Sequence, residues 1–436
     1  MDKRISLIIP KCTDLNRGDQ ALALETARII QETYNSDEIY MMTSGETSQC
    51  QKEGLKTFSD VLKHPSRFSK GNNISYNFAL KIKWGIISIF DLIISVLLLN
   101  KITRAIIYPL LKKETKESLT LYKNCESCFV KGGGFMHDYS GGLVGIYTTY
   151  YQMYHILLAQ KFNKPVYVMP NSYGPFKSKI SKSIVNKILN KCKLVTARES
   201  ISASLEKNGL DINIEVYPDL AFFLEENHKF DVSKYLEDKN IYTDDEQYVA
   251  ITVRPYRFAG YDNPKEKYDN YKKEFKKFII WLNDKKFKPL LVVHTRAEND
   301  HENDERCINE ICELIEDKSM LKILKDDNLT CRDLKSIYHK CKYVVGTRFH
   351  SVIFSVTNKI PTIAVTYGGN KGDGIMKDMN NDIYAIKISE LSFETLKDRF
   401  EKLQNNSEEV IKNTQNYLNE ANNYRQILIK KINDLR

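Results

Sequence analysis

The chain has 436 residues, of which 42% are hydrophobic and 28% charged, as is typical of a soluble globular protein. Because cores rarely grow much beyond about 250 to 300 residues, this length predicts two domains. The formal net charge of +9 favours an acidic ligand or an anionic membrane surface. Acidic residues are interleaved with the lysines and no nucleic-acid motif is present, which argues against nucleic acid as a partner.

The nine cysteines are odd in number and lack framework spacing, which indicates a reducing compartment. Cys125 and Cys128 form a C-x-x-C without a second pair, so they predict small residues at the start of a buried strand rather than a zinc site. The N-terminus lacks the basic and apolar regions of a signal peptide. We therefore expect a cytoplasmic protein without a bound metal.

The first predicted element is a buried strand, residues 5–9, followed by a polar turn and a helix that starts near Ala21. In an open α/β sheet, ligands bind in the loop after the carboxyl end of a strand. Asp19 lies in this turn. It can complement the dipole of the helix or act as a general base toward a sugar hydroxyl, and the pattern alone favours the first role.

An insertion, residues 64–116, then interrupts the α/β pattern. Its run 84–99 is very apolar and has basic residues on both sides, namely Lys81 and Lys83 before it and Lys101, Arg104, Lys112 and Lys113 after it. The run is shorter than the roughly 20 residues that span a bilayer, and Asp91 interrupts it. Such a helix can lie in the headgroup plane of a membrane or be buried against the protein or a second subunit. We slightly favour contact with a membrane surface through residues 84–104.

Three further loops after predicted strands hold candidate ligand groups. Gly132, Gly133 and Gly134 would let a ligand or a neighbouring loop approach the backbone closely, but they do not form a dinucleotide fingerprint. Asn171 lies in a loop, residues 170–176, after the strand 166–169. Arg198 follows the strand 194–197 and either meets an anion or pairs with Glu199 or a neighbouring carboxylate.

Residues 226–247 are polar and charged and are predicted to be a linker between the domains 1–225 and 248–405. The second domain opens with the predicted strand 249–253, and Arg254 follows this strand. Residues 300–304 contain acidic side chains and a histidine, but they predict a solvated loop and a helix N-terminus rather than metal ligands. An amphipathic helix is expected over 406–436.

The most informative motif, residues 346–351, places Arg348 and His350 where a strand passes into a helix. Free N–H groups and the helix dipole favour an anion there, and arginine offers a planar fork for phosphate or carboxylate. Histidine moves protons readily near neutral pH. Ser351 follows directly, and a later glycine-rich loop with Lys371 is also suited to phosphate. The alternative is an arginine paired with a surface carboxylate and a histidine that caps the helix.

Taken together, these segments resemble the polysaccharide pyruvyl transferase family. The matching pieces occur in the family's order and cover most of the chain outside residues 45–120: Asn16 to Ala21, Gly132 to Gly134, Asn171 to Pro175, Ala197 to Ser200, Pro218 to Ala221 and Thr347 to Ser351. The resemblance implies a GT-B-like α/β fold of two Rossmann-like, doubly wound domains with the active site in the cleft between them, plus the helical hydrophobic insertion. It also implies phosphoenolpyruvate as the donor and a sugar acceptor, often on a lipid carrier at the cytoplasmic face of the membrane.

Formation of a pyruvate ketal requires a proton on the methylene carbon of phosphoenolpyruvate, and cationic side chains can neutralise this donor without a metal or a cofactor. We expect Asp19, His350 and Arg348 to be catalytic. The expected donor ligands are Arg198, Arg254, Arg348, Ser351 and Lys371, and the expected cleft loops contain Asn16, Gly132, Gly133, Gly134 and Asn171.

Two alternatives to pyruvyl transfer remain open from the sequence. The first is a GT-B glycosyltransferase with a nucleotide-sugar donor, since both donors are anionic. The second is a catalytically silent, membrane-associated scaffold built on the same fold. The sequence also leaves an oligomer open.

Overall fold

The computed structural model describes residues 3–43, 45–65, 78–204, 209–241, 246–297, 302–367 and 371–436, except for the side chains of residues 78, 79, 81 and 371. The chain divides into two compact units. Unit 1 comprises Met1–Asp14, Leu22–Leu220 and Tyr424–Arg436. Unit 2 comprises Leu15–Ala21 and Ala221–Asn423. Each unit is built around one parallel sheet.

The sheet of unit 1 has the order β3-β2-β1-β4-β6-β7-β8, and β5 pairs with β6. All of these pairings are parallel. Its strands are short and apolar and are mostly buried on both faces, as expected for a parallel sheet. The strands are β1 (Ile5–Cys12), β2 (Glu38–Thr43), β3 (Lys56–Ser59), β4 (Ser127–Val130), β5 (Gly133–Asp138), β6 (Val166–Phe176), β7 (Leu194–Ala197) and β8 (Glu215–Val216).

Helices connect these strands and cover the sheet. They are Arg17–Tyr34, Ser48–Lys52, Phe78–Leu99, Lys101–Ile107, Lys113–Asn124, Gly142–Lys161, Lys179–Leu189 and Ser200–Ala203, with a 3₁₀ turn at Tyr108–Leu110. A second 3₁₀ turn, Leu220–Phe223, begins at the last residue of the segment Leu22–Leu220 of unit 1 and continues in unit 2. The apolar insertion forms a helix of 22 residues, longer than the run read from the sequence. Among the described parts of the chain, one segment, Ile82–Leu99 within this helix, is long and apolar enough to cross a membrane.

Two predicted loops of unit 1 are strands. Gly133 and Gly134 lie in β5, and Asn171 lies within β6 rather than after it. Gly132, which lies between β4 and β5, packs closely against β6. A Cβ on this residue would come within 2.9 Å of the carbonyl oxygen of Pro170. The residue therefore lets the end of β4 approach β6 closely.

The sheet of unit 2 has the order β11-β10-β9-β12-β13-β14, again with parallel pairings. The order reverses at β9 and β12, so their carboxyl ends form the switch point at which such sheets bind ligands. The strands are β9 (Gln247–Thr252), β10 (Phe287–Val292), β11 (Lys322–Leu324), β12 (Tyr343–Gly346), β13 (Thr362–Thr366) and β14 (Ala385–Lys387).

The helices of unit 2 are Val232–Asp238, Pro264–Asp284, Asp304–Leu314, Cys331–His339, Phe349–Thr357, Lys371–Asp378, Phe393–Asn405 and Ser407–Leu435, with 3₁₀ turns at Lys318–Met320, Asp382–Tyr384 and Ile388–Glu390. The first of these helices lies in the segment predicted as a linker, and it buries Leu236. The last helix begins close to the predicted residue, and its end from Tyr424 onward belongs to unit 1, where Arg425 forms two hydrogen bonds with Glu32 (2.6 and 3.0 Å).

Candidate functional site

The candidate site lies at the switch point of unit 2, where β12 ends at Gly346. The backbone N–H of Thr347 donates to the carbonyl (3.1 Å) and the hydroxyl (3.0 Å) of Thr252 at the end of β9. A Cβ on Gly346 would come within 2.7 Å of the Ser351 hydroxyl oxygen, so glycine permits a tight turn into the helix Phe349–Thr357. This turn places Arg348 immediately before the helix.

The guanidinium of Arg348 is buried and is bound by protein oxygens. Its Nε donates to Asp304 Oδ1 (2.7 Å), Nη1 to Glu302 Oε2 (2.9 Å) and Nη2 to the Glu302 carbonyl (2.8 Å). Burial lowers the pKa of Arg348, but the charge of Asp304, with Tyr367 and Glu302, outweighs burial and raises that pKa above its ordinary value. The ion pair that the sequence left as an alternative is therefore present, although Asp304 is fully buried rather than at the surface.

Arg254 shares a carboxylate with Arg348. Its Nη2 donates to both oxygens of Glu302 (2.9 and 3.0 Å), and its guanidinium lies 4.3 Å from the ring centroid of Tyr367. Burial raises the pKa of Glu302, but the two guanidiniums outweigh it and lower the pKa overall. The Glu302 side chain is 48% exposed, whereas the side chains of Arg254 and Arg348 are 10% and 8% exposed. Glu302 is thus the exposed member of this group, and an anion that binds the two arginines competes with its carboxylate.

The turn that contains Asp19 belongs to this same unit, whereas the sequence predicted that it lies in the N-terminal domain, residues 1–225. Asn16 forms an antiparallel bridge with Thr295, just beyond β10, and Arg296 N donates to the carbonyl of Leu15 (2.8 Å). Asn16 is also a helix cap, since its Oδ1 accepts from the N–H groups of Gly18 (3.1 Å) and Asp19 (3.2 Å). These bonds fix the start of the helix Arg17–Tyr34 in unit 2.

The helix start packs against the imidazole of His350. A Cβ on Gly18 would lie 2.0 Å from His350 Nδ1 and 2.5 Å from Cγ, so only glycine allows this approach. Both Asp19 and His350 are half-buried. Two of the three predicted catalytic residues, Asp19 and His350, therefore lie at the start of the same helix. His350 is the acid–base candidate, and Asp19 supplies a carboxylate at the positive end of the helix dipole.

His294, which was not predicted as a site residue, follows β10 and interacts electrostatically with His350 and Arg348. It is buried; its Nδ1 lies 3.2 Å from the Tyr338 hydroxyl, and its Nε2 has no hydrogen-bond partner among the residues that the structure describes. Burial lowers the pKa of His294 well below its ordinary value, and electrostatic interaction with His350, Arg348 and Arg17 lowers that pKa further. This imidazole is therefore neutral near pH 7. Its position after a central strand was the available signal.

Glu302 and Asp304 were also missed, because the sequence predicted a solvated loop there. A helix does begin at Asp304, and Asn303 caps it by accepting from Glu305 N (3.2 Å). Asp304, however, is buried and accepts the N–H groups of His294 (3.2 Å) and Thr295 (2.8 Å) as well as Arg348. The prediction of a solvated segment is wrong at this residue, since buried arginines require carboxylate partners.

Two predicted donor ligands of unit 2 are placed differently. Ser351 is fully buried, and its hydroxyl lies 2.9 Å from the Thr252 hydroxyl and donates to the Arg348 carbonyl (2.6 Å). It links the helix to β9 and is not placed to meet a ligand. Lys371 begins a helix instead of lying in a loop, and its side chain and residues 368–370 lie outside the described residues.

In unit 1, Arg198 forms a buried ion pair, as the sequence left open. Its Nη1 donates to Asp219 Oδ2 (2.6 Å) and its Nε to the Ser172 hydroxyl (2.8 Å), with Glu199 at 3.5 Å. Asn171 is buried as well; its Nδ2 donates to the carbonyls of Lys131 (3.1 Å) and Met169 (2.7 Å). The donor role of Arg198 stays a prediction.

Among the described residues, no group of three or more histidine, cysteine, aspartate or glutamate side chains has the geometry of a metal site.

The fold is the GT-B fold, as the sequence predicted. A glycosyltransferase from Rickettsia africae aligns with a TM-score of 0.51 and 16% identity over 99% of both chains. S. aureus MnaA, in a structure with UDP, aligns with a TM-score of 0.58 and 11% identity over 100% of this chain and 98% of that one. A protein from Listeria monocytogenes, described as a UDP-N-acetylglucosamine 2-epimerase, aligns with a TM-score of 0.55 and 10% identity over 98% of this chain and 95% of that one.

Comparison with protein families shows which family the chain belongs to. The sequence model of the polysaccharide pyruvyl transferase family matches residues 16–369, so this chain belongs to that family, as its motifs predicted. The amylovoran biosynthesis protein AmsJ of Erwinia amylovora is 26% identical over 262 residues, which cover 59% of this chain and 60% of AmsJ. The matched region thus spans less than two thirds of that relative.

Proposed function

We propose that this protein transfers the pyruvyl group of phosphoenolpyruvate to two hydroxyls of a sugar, forming a ketal on a cell-surface polysaccharide or its lipid-linked precursor. The observation that carries the proposal is the packing of His350 against the helix start at Gly18, beside two arginines that converge on one carboxylate. Membership of the pyruvyl transferase family and similarity to an amylovoran biosynthesis protein support it.

In the proposed reaction, His350 gives a proton to the methylene carbon of phosphoenolpyruvate, which leaves cation character at C2. One sugar hydroxyl adds to C2 and its proton passes to Asp19. The second hydroxyl then adds as the bond between C2 and the phosphate oxygen breaks. Two C–O bonds form and one breaks. Of the two hydroxyl protons, one restores the acid and the other leaves with inorganic phosphate.

Arg254 and Arg348 hold the donor in this scheme. Within the protein, the carboxylates of Glu302 and Asp304 pair with the two guanidiniums. When the carboxylate or phosphate of the donor replaces the half-exposed Glu302 side chain, the two arginines retain an anionic partner, while buried Asp304 continues to orient Arg348. Arginine forks of this kind position a substrate and stabilise developing charge.

The protein is proposed to work in the cytoplasm without a cofactor or metal, since phosphoenolpyruvate is a cytoplasmic metabolite and a co-substrate. The acceptor sugar comes from the class of surface-glycan precursors.

A ligand panel tests the donor. Ligand binding stabilises the folded state by mass action, so phosphoenolpyruvate is expected to raise the melting temperature in a concentration-dependent way, and UDP-sugars are not. Turnover is then measured as phosphate release together with the ketal methyl signal in the NMR spectrum of the sugar product. Stabilisation by nucleotide-sugars alone would overturn the proposal and favour glycosyl transfer.

A further inference from the structure

The helix Phe78–Leu99 has its polarity reversed relative to a helix on the surface of a soluble protein. Its outward face is apolar, and six large side chains on it are 48 to 63% exposed: Ile82, Ile86, Ile89, Phe90, Ile93 and Val96. A surface helix normally turns its apolar stripe toward the core and its polar residues toward water. A contiguous apolar face of this size marks an interaction site.

The polar residues of this helix lie on the opposite stripe, which faces unit 1. Ser88, Asp91 and Ser95 follow one another at helical spacing and are half-buried or buried. The Ser95 hydroxyl lies 2.9 Å from that of Tyr150, and the Tyr154 hydroxyl donates to the Ser95 carbonyl (3.3 Å). The helix is thus attached to the helix Gly142–Lys161 by its polar side, and its apolar side is left to the surroundings.

The exposed apolar surface continues into the next elements and has basic residues at its edges. Ile102 and Ile106 are 71% and 69% exposed, and Leu110 is 85% exposed. Exposed lysines lie near both ends of the apolar segment: Lys83, Lys101, Lys112 and Lys113. This combination of apolar face and basic flanks is complementary to the acyl and headgroup layers of an anionic membrane.

We propose that this surface, defined as residues 82–113, inserts into the interfacial layer of an anionic lipid bilayer with the helix Phe78–Leu99 parallel to the membrane plane. A transmembrane arrangement would require the helix to give up its bonds to Tyr150 and Tyr154. It would also disturb Arg104, which donates to the Leu98 carbonyl (3.0 Å) and lies over the Phe162 ring (4.0 Å).

A second copy of the chain fits this surface less well. In a two-fold symmetric contact, the same face meets itself. The lysines at the ends of an antiparallel pair of these helices would then approach one another, whereas anionic lipid headgroups neutralise them. The inference does not depend on the proposed reaction, because it rests on a surface of unit 1 alone.

Co-sedimentation of the full chain with lipid vesicles tests the proposal. The wild-type protein is expected to bind vesicles of phosphatidylcholine with 30% phosphatidylglycerol and to bind pure phosphatidylcholine at least about tenfold more weakly. The triple variant Ile86→Asp/Phe90→Asp/Ile93→Asp is expected to lose at least about tenfold in the partition coefficient. Ile383→Asp is the matched control, since Ile383 is 52% exposed in unit 2 and should bind as the wild type does.

A charge variant keeps the proposal testable if the triple variant fails to fold. Lys101→Gln/Lys112→Gln/Lys113→Gln removes three of the four exposed flanking lysines and should weaken binding to the anionic vesicles by about tenfold or more. Wild-type protein that ignores anionic vesicles, or variants that bind them as Ile383→Asp does, would overturn the proposal. A wild-type dimer that the triple substitution converts to a monomer, without vesicle binding, would assign the surface to a second copy instead.

Discussion

The α-carbon of Gly18 faces the ring of His350 so closely that a methyl group on residue 18 would come within 2.0 Å of Nδ1. Residue 18 lies in the first turn of a helix whose start belongs to unit 2. The contact therefore fixes the imidazole next to the N–H groups and the dipole of the helix start, and next to Asp19. The absence of a side chain on Gly18 thus allows the predicted proton donor, His350, to pack against the helix start that carries the predicted proton acceptor, Asp19.

Gly18→Ala should lower kcat by about 10²-fold, because the added methyl forces His350 out of position and a positioned acid contributes typically about 10²–10⁴-fold. Stability should change little, since alanine favours a helix more than glycine does. Phosphate release measured with phosphoenolpyruvate and acceptor checks the effect. Gly85→Ala is the control, as a Cβ there meets nothing within 4 Å. Wild-type turnover in Gly18→Ala would show that the position of the ring is not critical.

Asp304→Ala should destabilise the protein by about 3–5 kcal/mol, because it leaves the buried guanidinium of Arg348 without its main partner. Urea unfolding followed by circular dichroism measures this loss. The control is Asp398→Ala, which removes an exposed pair with Lys402 (2.9 Å) and should cost no more than about 0.5 kcal/mol. Equal effects in the two variants would contradict the structural role of the Asp304 carboxylate.

Glu302→Gln should strengthen binding of phosphoenolpyruvate by about three- to tenfold, because the incoming anion no longer competes with a carboxylate for Arg254 and Arg348. Titration calorimetry gives the dissociation constant. Glu305→Gln serves as the control, since Glu305 pairs instead with Arg296 and Lys325. If Glu302→Gln binds the donor more weakly than the wild type does, the two arginines are not the donor site.

His155 should make stability depend on pH below 6.5. Burial, together with the charge of Lys11, lowers its pKa from 6.5 to about 3. Between these two pKa values the unfolded state binds a proton that the folded state does not bind. Stability therefore falls as the pH is lowered, by up to about 1.4 kcal/mol per pH unit. The contribution is complete above pH 6.5 and is lost progressively between pH 6.5 and 3. His155→Gln should show a correspondingly shallower pH dependence of unfolding free energy between pH 6 and 4.5, and an unchanged slope would contradict the buried neutral state.

Much of the fold follows from local pattern. Short apolar runs such as β7 and β12 are buried strands because they fill a parallel sheet, and the spacing of apolar residues from Ser407 onward yields the last helix. Local pattern also predicted the turn with Arg348 and His350, because an apolar run typical of a strand is followed, after a glycine, by a run typical of a helix.

Other features depend on tertiary packing that no local pattern encodes. Asp304 meets Arg348 across a separation of 44 residues, and nothing near Asp304 distinguishes it from the other acidic residues of its segment. Similarly, the turn from Leu15 to Ala21 directly follows a strand of unit 1 but belongs to unit 2. Its position along the chain therefore predicted the N-terminal domain for it, which differs from the unit in which its contacts place it. β5 was missed because glycines are poor strand formers outside the context of β6.

The central claim, that His350 supplies the proton for pyruvyl transfer, is tested most directly by His350→Ala. The variant should retain the fold, as judged by its melting temperature, and should still bind phosphoenolpyruvate. Its rate of phosphate release and of ketal methyl formation should fall by at least about 10²-fold. Near wild-type formation of the ketal methyl group by a folded His350→Ala protein would contradict the account.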